Sequence, residues 1–181
     1  PISAGLLIAA VSAASAWALR GARDVEMTRL AVAQAVGAAG GTHASSAGRE
    51  DDLRGFARRA AIAHAVYSPD LRRPVEVAAD QEQALVTWLT RRLGSAVRAP
   101  ALASVGYELI GGRLLPGEKG PVAQFMYGAA DGQRLTLYVT REVPGSGDVT
   151  FKFGREGTVN VFYWVEGHFG YAISGGTDKV E

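Results

Sequence analysis

The sequence predicts an α+β fold in which helices pack on an antiparallel β-meander of about five strands, preceded by an apolar N-terminal helix. Two observations predict it. Helical periodicity is confined to the first half of the chain, and short strands separated by glycine-containing turns fill the second half. Helices followed by strands, without βαβ alternation, are typical of α+β domains. The short connections between successive strands require antiparallel pairing, because a parallel pair needs a long crossover.

The predicted strands lie between residues 107 and 174. Residues 134–142 (RLTLYVTRE) alternate apolar and polar side chains, which indicates a strand with two unlike faces. Asp131-Gly132, Glu156-Gly157 and Glu166-Gly167 indicate turns, because Asp and Gly tolerate positive φ. The other predicted strands cover residues 107–115, 121–127, 149–153, 159–165 and 169–174, and a short extended piece covers 73–78.

Two helices are predicted ahead of these strands, both packing on one face of the sheet. The first covers residues 51–67 and ends before Pro69. The second begins after Asp80, which forms a capping-box pattern with Gln83, and it ends at Gly94. Its apolar stripe consists of Leu85, Trp88, Leu89 and Leu93.

The N-terminal residues 2–19 form an uncharged run of 18 residues. As a helix they would span about 27 Å, enough for a bilayer core. We expect a transmembrane helix, with a signal peptide or a helix buried against a partner as alternatives. Residues 42–48 (THASSAG) have linker composition. The expected domains are therefore a transmembrane helix and stem over 1–41 and an α+β domain over 42–181.

The composition of the chain and its lack of known motifs argue against most kinds of catalytic, metal-binding and nucleic-acid-binding site. The chain has 19 basic and 18 acidic residues and no cysteine, and we expect no direct contact with nucleic acid. His43, His64 and His168 are far apart in sequence and fit no metal-ligand spacing. Gly111-Gly112 lies inside an apolar run, which favours a bulge or a close backbone approach over a phosphate-binding loop. We predict no catalytic residue, no cofactor and no metal.

The densest aromatic group of the chain lies in its last two predicted strands. Phe162, Trp164, Phe169 and Tyr171 form our candidate interaction surface, because exposed aromatic patches mark interaction sites. The alternative is that these side chains pack beneath the helices, since aromatic residues serve cores and interfaces alike.

Six short blocks between residues 67 and 164 carry a family resemblance. They are YSPDLRRPVEV at 67–77, WLTRRLG at 88–94, GYELIGGRLLP at 106–116, PVAQFMY at 121–127, RLTLY at 134–138 and FYW at 162–164. In order and spacing this series resembles the C-terminal region of proteobacterial transmembrane anti-sigma factors, over roughly residues 56–175. The chain departs from that pattern at Arg73, where the family often has histidine.

The resemblance implies a single-pass protein of the bacterial inner membrane with its C-terminal domain in the periplasm. It implies a cytoplasmic segment before Pro1 that holds an extracytoplasmic-function sigma factor. Residues 2–19 would then cross the membrane, and the following domain would sense an unknown periplasmic signal or protein without catalysing a reaction. Two rival hypotheses are a structural or assembly subunit of a membrane complex and a hydrolase whose site is assembled in space.

Overall fold

The computed structural model describes residues 43–141, 149 and 151–176, with side chains from residue 48 onward. The described residues from Asp52 onward belong to one compact unit. The described elements are helices α1 (His43–Tyr67) and α2 (Glu82–Leu93), and strands β1 (Val77–Ala78), β2 (Tyr107–Pro116), β3 (Pro121–Ala129), β4 (Arg134–Thr140), β5 (Lys152–Glu156), β6 (Val159–Glu166) and β7 (Phe169–Gly176). The α+β class is therefore confirmed.

The strands form one antiparallel sheet in the order β1-β2-β3-β4-β7-β6-β5. This order differs from the predicted meander of about five strands, because β4 pairs with β7 and not with β5. Two hairpin series, β2-β3-β4 and β5-β6-β7, meet along the β4–β7 ladder. The last described strand therefore lies inside the sheet, and β5 lies at its edge.

The two helices cover opposite faces of this sheet, which corrects the prediction that both cover one face. On α1, Phe56 packs edge-on against Tyr138 of β4, with ring centroids 5.8 Å apart. On α2, Leu85 lies beside Gly112, which pairs with Phe125 of β3. Tyr138 and Phe125 project to opposite faces, because Tyr138 is paired with Gln124, the neighbour of Phe125. The central strands are thus covered on both sides.

The predicted helix ends are partly right. Gly94 ends α2 in the left-handed conformation, with φ of 67°, as predicted. Asp80 is not the N-cap: it lies in a 3-10 turn, and the N-cap Gln81 makes no side-chain cap hydrogen bond. Helix α1 begins at His43, inside the segment predicted to be a linker. Local composition therefore located the C-terminal end of α2 better than either N-terminus.

The glycine pair of β2 marks a bulge, as predicted. The register between β2 and β3 shifts between Leu109 and Gly111. Gly111 has φ of 149°, and a Cβ there would lie 2.2 Å from the carbonyl oxygen of Val77. The close approach of β1 to β2 therefore depends on the missing side chain at position 111.

The apolar run at residues 2–19 and the domain boundary between residues 41 and 42 lie outside the described residues. In the part of the chain that is described, no helix has both the length and the apolar character required to cross a membrane.

Candidate functional site

The four predicted surface residues lie on one face of the sheet as a continuous series of rings. Trp164 of β6 stacks on Tyr171 of β7, with centroids 5.1 Å apart and planes 14° from parallel. Phe162 lies 5.9 Å from Trp164, and Phe169 lies 6.0 Å from Tyr171. Cross-strand pairing of Trp164 with Tyr171 produces this arrangement, because directly opposed residues share a face.

Solvent reaches this aromatic series unevenly. Trp164 and Tyr171 are only 2% and 4% exposed, whereas Phe162 and Phe169 are half-buried. Burial, with a smaller contribution from the negative charge of Glu166, raises the pKa of Tyr171 above its usual range. The half-buried rings of Phe162 and Phe169 are therefore the members of this series that a partner on this face would contact.

Sequence reasoning left Phe151 and Phe153 out of the candidate surface, although both are exposed. Phe151 stacks on Phe162 with centroids 5.5 Å apart and is 40% exposed, and Phe153 is 50% exposed. Alternation of Phe151 and Phe153 around Lys152 was a usable signal, because it predicts that both rings lie on one face, where Phe153 pairs with Phe162 and Phe151 stacks on it. We call Phe151, Phe153 and Phe162 the edge aromatic patch.

A second feature is the connection between α1 and β1, residues 68–76, which two arginines of the sheet hold in place. Arg134 donates to the carbonyl oxygens of Ser68 and Asp70 at 2.8 and 3.0 Å. Arg113 donates to the carbonyl oxygens of Arg73 and Pro74. The Asp70 carboxylate accepts the backbone N–H groups of Arg73 and Arg72, which lower the pKa of that carboxyl.

Polar side chains are buried on the sheet face beneath α1. His64 Nδ1 lies 3.1 Å from the hydroxyl oxygen of Thr136, and burial lowers the pKa of His64 to about 4. Thr136 is paired with Ser174, whose hydroxyl has no hydrogen-bond partner among the described residues. At neutral pH the imidazole is uncharged and shielded from solvent. This arrangement can fix the register of α1 on the sheet, but it presents no reactive group to a substrate.

Among the described residues, no group of three or more His, Asp or Glu side chains is placed to hold a metal ion. His168 is exposed in the turn between β6 and β7. A shallow open depression runs along the outer side of α2, lined by Gln83, Ala84, Thr87, Trp88 and Arg91. Its openness to solvent suits a surface contact better than the enclosure of a small molecule.

Comparisons of the chain with protein-family models, curated proteins and solved structures found no match.

Proposed function

We propose that this chain is the extracytoplasmic regulatory region of a membrane-anchored anti-sigma factor and that it acts by binding, without catalysis. The resemblance of its six sequence blocks to that family supplies the proposal. In this reading residues 2–19 anchor the chain in the inner membrane, and the α+β domain lies in the periplasm. The sigma factor is bound by a cytoplasmic segment of the complete protein.

One structural observation supports this proposal: distant blocks of the resemblance contact one another in the fold. The first block, residues 67–77, is held by Arg113 of the third block and by Arg134 of the fifth. Glu76 of the first block also accepts the backbone N–H of Leu114 at 3.1 Å. Residues that depend on one another in this way are expected to recur together in proteins that share a fold.

Affinity purification from the native bacterium tests the sigma-factor assignment. The complete gene product carrying a tag should co-purify an extracytoplasmic-function sigma factor, identified by mass spectrometry. A tagged, unrelated single-pass membrane protein is the control. An eluate that contains membrane-complex subunits in fixed ratio and no sigma factor would instead identify the chain as an assembly subunit.

The edge aromatic patch is the proposed place where the domain meets its periplasmic signal or partner. It combines exposed rings with the underlying pairing of β5 and β6, and exposed aromatic side chains favour recognition by contact. Phe151→Ser should alter the output of a sigma-dependent reporter in cells. Leu71→Ser is the matched control, because Leu71 is an equally apolar and highly exposed residue in the 68–76 connection. Equal reporter output for Phe151→Ser, Leu71→Ser and the parent would contradict this role of the patch.

A further inference from the structure

We propose that β5 is a self-complementary edge through which two copies of this chain pair their sheets. Strand β5 lies at the end of the sheet, and among the described residues it pairs only with β6. An edge strand presents a row of backbone donors and acceptors along its outer side. The opposite edge is formed by β1, which has only two residues and offers almost no length for such pairing.

The sequence of β5 is self-complementary when two copies of the strand are placed side by side in antiparallel orientation. When two copies are centred on Gly154, each Lys152 faces Glu156 of the other copy, and each Phe153 faces Arg155. The pairing therefore creates two Lys–Glu pairs on one face and two Phe–Arg pairs on the other. Opposite charges directly across a strand pair are favourable, and a guanidinium over a phenyl ring adds a cation–π contact.

The backbone of β5 permits the same register. Residues on one strand alternate between pointing their N–H and C=O groups toward β6 and toward the open edge. When the pairing is centred on Gly154, even-numbered residues face even-numbered residues and odd-numbered residues face odd-numbered ones. Each residue whose backbone N–H and C=O groups point to the open edge therefore faces a residue of the other copy whose groups do the same. Such an interface is isologous, because the same strand serves both copies around a two-fold axis.

The exposed side chains favour a second copy over an unrelated peptide. Phe153 and Arg155 are exposed on the same face of β5, and in the proposed register each Phe153 would lie opposite Arg155 of the other copy. Since only five residues pair on each side, the expected dimer is weak and reversible. A covalent trap is therefore the appropriate assay.

Cysteine trapping at the axis tests the proposal directly, because the chain contains no cysteine. In Gly154→Cys the two Cα atoms would be about 4.5–5.5 Å apart, which a disulfide can bridge. A Cβ at Gly154 meets only the Tyr163 ring, at 3.6 Å, so the side chain fits. Gly120→Cys is the control, since a Cβ there meets nothing within 4 Å and Gly120 lies at the turn between β2 and β3.

Under mild oxidation of the full chain, Gly154→Cys should form disulfide-linked dimers about tenfold more than Gly120→Cys, measured on non-reducing gels. Adding Lys152→Glu places a second carboxylate against Glu156 and should remove most of this excess. Adding both Lys152→Glu and Glu156→Lys restores opposite charges and should bring the dimers back. Equal trapping of the two cysteine variants would overturn the proposal. Failure of the charge exchange to restore dimers would overturn the register, and trapping of another protein alone would overturn self-pairing.

Discussion

The guanidinium of Arg113 lies over the ring of Tyr67, 3.9 Å from its centroid. This contact joins the C-terminal end of α1 to the second strand of the sheet, while the same guanidinium donates to the carbonyl oxygens of Arg73 and Pro74. Arg113 is buried, and its Nε has no hydrogen-bond partner among the described residues. One side chain therefore fixes both the end of a helix and the connection that follows it.

We expect Arg113→Ala to lower the free energy of unfolding by about 2–4 kcal/mol, because it leaves two carbonyl oxygens without their donor and removes the contact over Tyr67. Arg113→Lys should recover part of the loss, since it keeps the charge but not the planar fork. Urea unfolding followed by tryptophan emission measures both. Arg98→Ala, at an exposed arginine, serves as the control and should change stability by less than about 0.5 kcal/mol. Equal effects at positions 98 and 113 would refute the assigned role.

Phe56 connects α1 to the sheet, and its replacement should be costly. It is 0% exposed and packs edge-on against Tyr138 and Tyr163. Phe56→Ala should lower the free energy of unfolding by about 3–5 kcal/mol through lost burial and a cavity. Ile62→Ala on the same helix is the control, because Ile62 is 54% exposed, and it should be nearly neutral. Similar costs for the two variants in urea unfolding would contradict the observed orientation of α1.

The bulge in β2 predicts a strong glycine requirement at position 111. Gly111→Ala should destabilise the fold by more than about 2 kcal/mol, because its methyl group would collide with the Val77 carbonyl and the backbone would be strained. Gly120→Ala should be neutral or slightly stabilising, since its site is open and alanine restricts the unfolded chain. Thermal unfolding of the two alanine variants side by side provides the measurement. A well-tolerated Gly111→Ala would mean that β1 does not approach β2 as closely as described.

Burial of neutral His64 predicts a specific pH dependence. Its pKa is about 4 in the folded chain, against an ordinary value of 6.5. Between these values the unfolded chain binds a proton that the folded chain does not, so stability falls as pH is lowered from about 6.5 to about 4. The loss attributable to His64 should be on the order of 2–3 kcal/mol at the acid end.

His64→Asn should flatten the stability curve across this window, because the side chain no longer titrates. His168→Gln, which also replaces a histidine but at an exposed turn position, is the matched control substitution. Carboxylates also titrate near the acid end, so the quantity to compare is the difference between each variant and the parent. Parallel curves for parent and His64→Asn would show that His64 is not held neutral.

Most strands could be predicted from the sequence because their signals are local. The alternation in residues 134–142 and the turn glycines at 132, 157 and 167 correspond to β4 and to three turns with positive φ. The pairing of β4 with β7 could not be predicted in the same way, because no local pattern specifies which non-consecutive strands meet. The predicted meander assumed that each strand pairs with the next strand in sequence.

The sheet face on which each helix packs could also not be predicted from the local hydrophobic periodicity of the helix. The stripe of α2 identified Leu85, Leu89 and Leu93, which are buried, but it also included Trp88, which is only half-buried. A stripe indicates which side of a helix is apolar, but not which face of a sheet receives it. Of the candidate surface, the sequence indicated which rings would cluster. It did not indicate that stacking would bury Trp164 and Tyr171 and leave Phe151 and Phe153 accessible.

The central position of β7 has a consequence for how the protein is made. Leu135 pairs with Gly175, and Thr140 pairs with Gly170, so the ladder that unites the two hairpin series involves the last of the described strands to leave the ribosome. During translation the earlier strands must wait with open edges until β7 inserts between β4 and β6. Pairings this distant in sequence close slowly and expose the nascent chain to aggregation. The protein should therefore depend on chaperones more than a sheet built only from consecutive hairpins would.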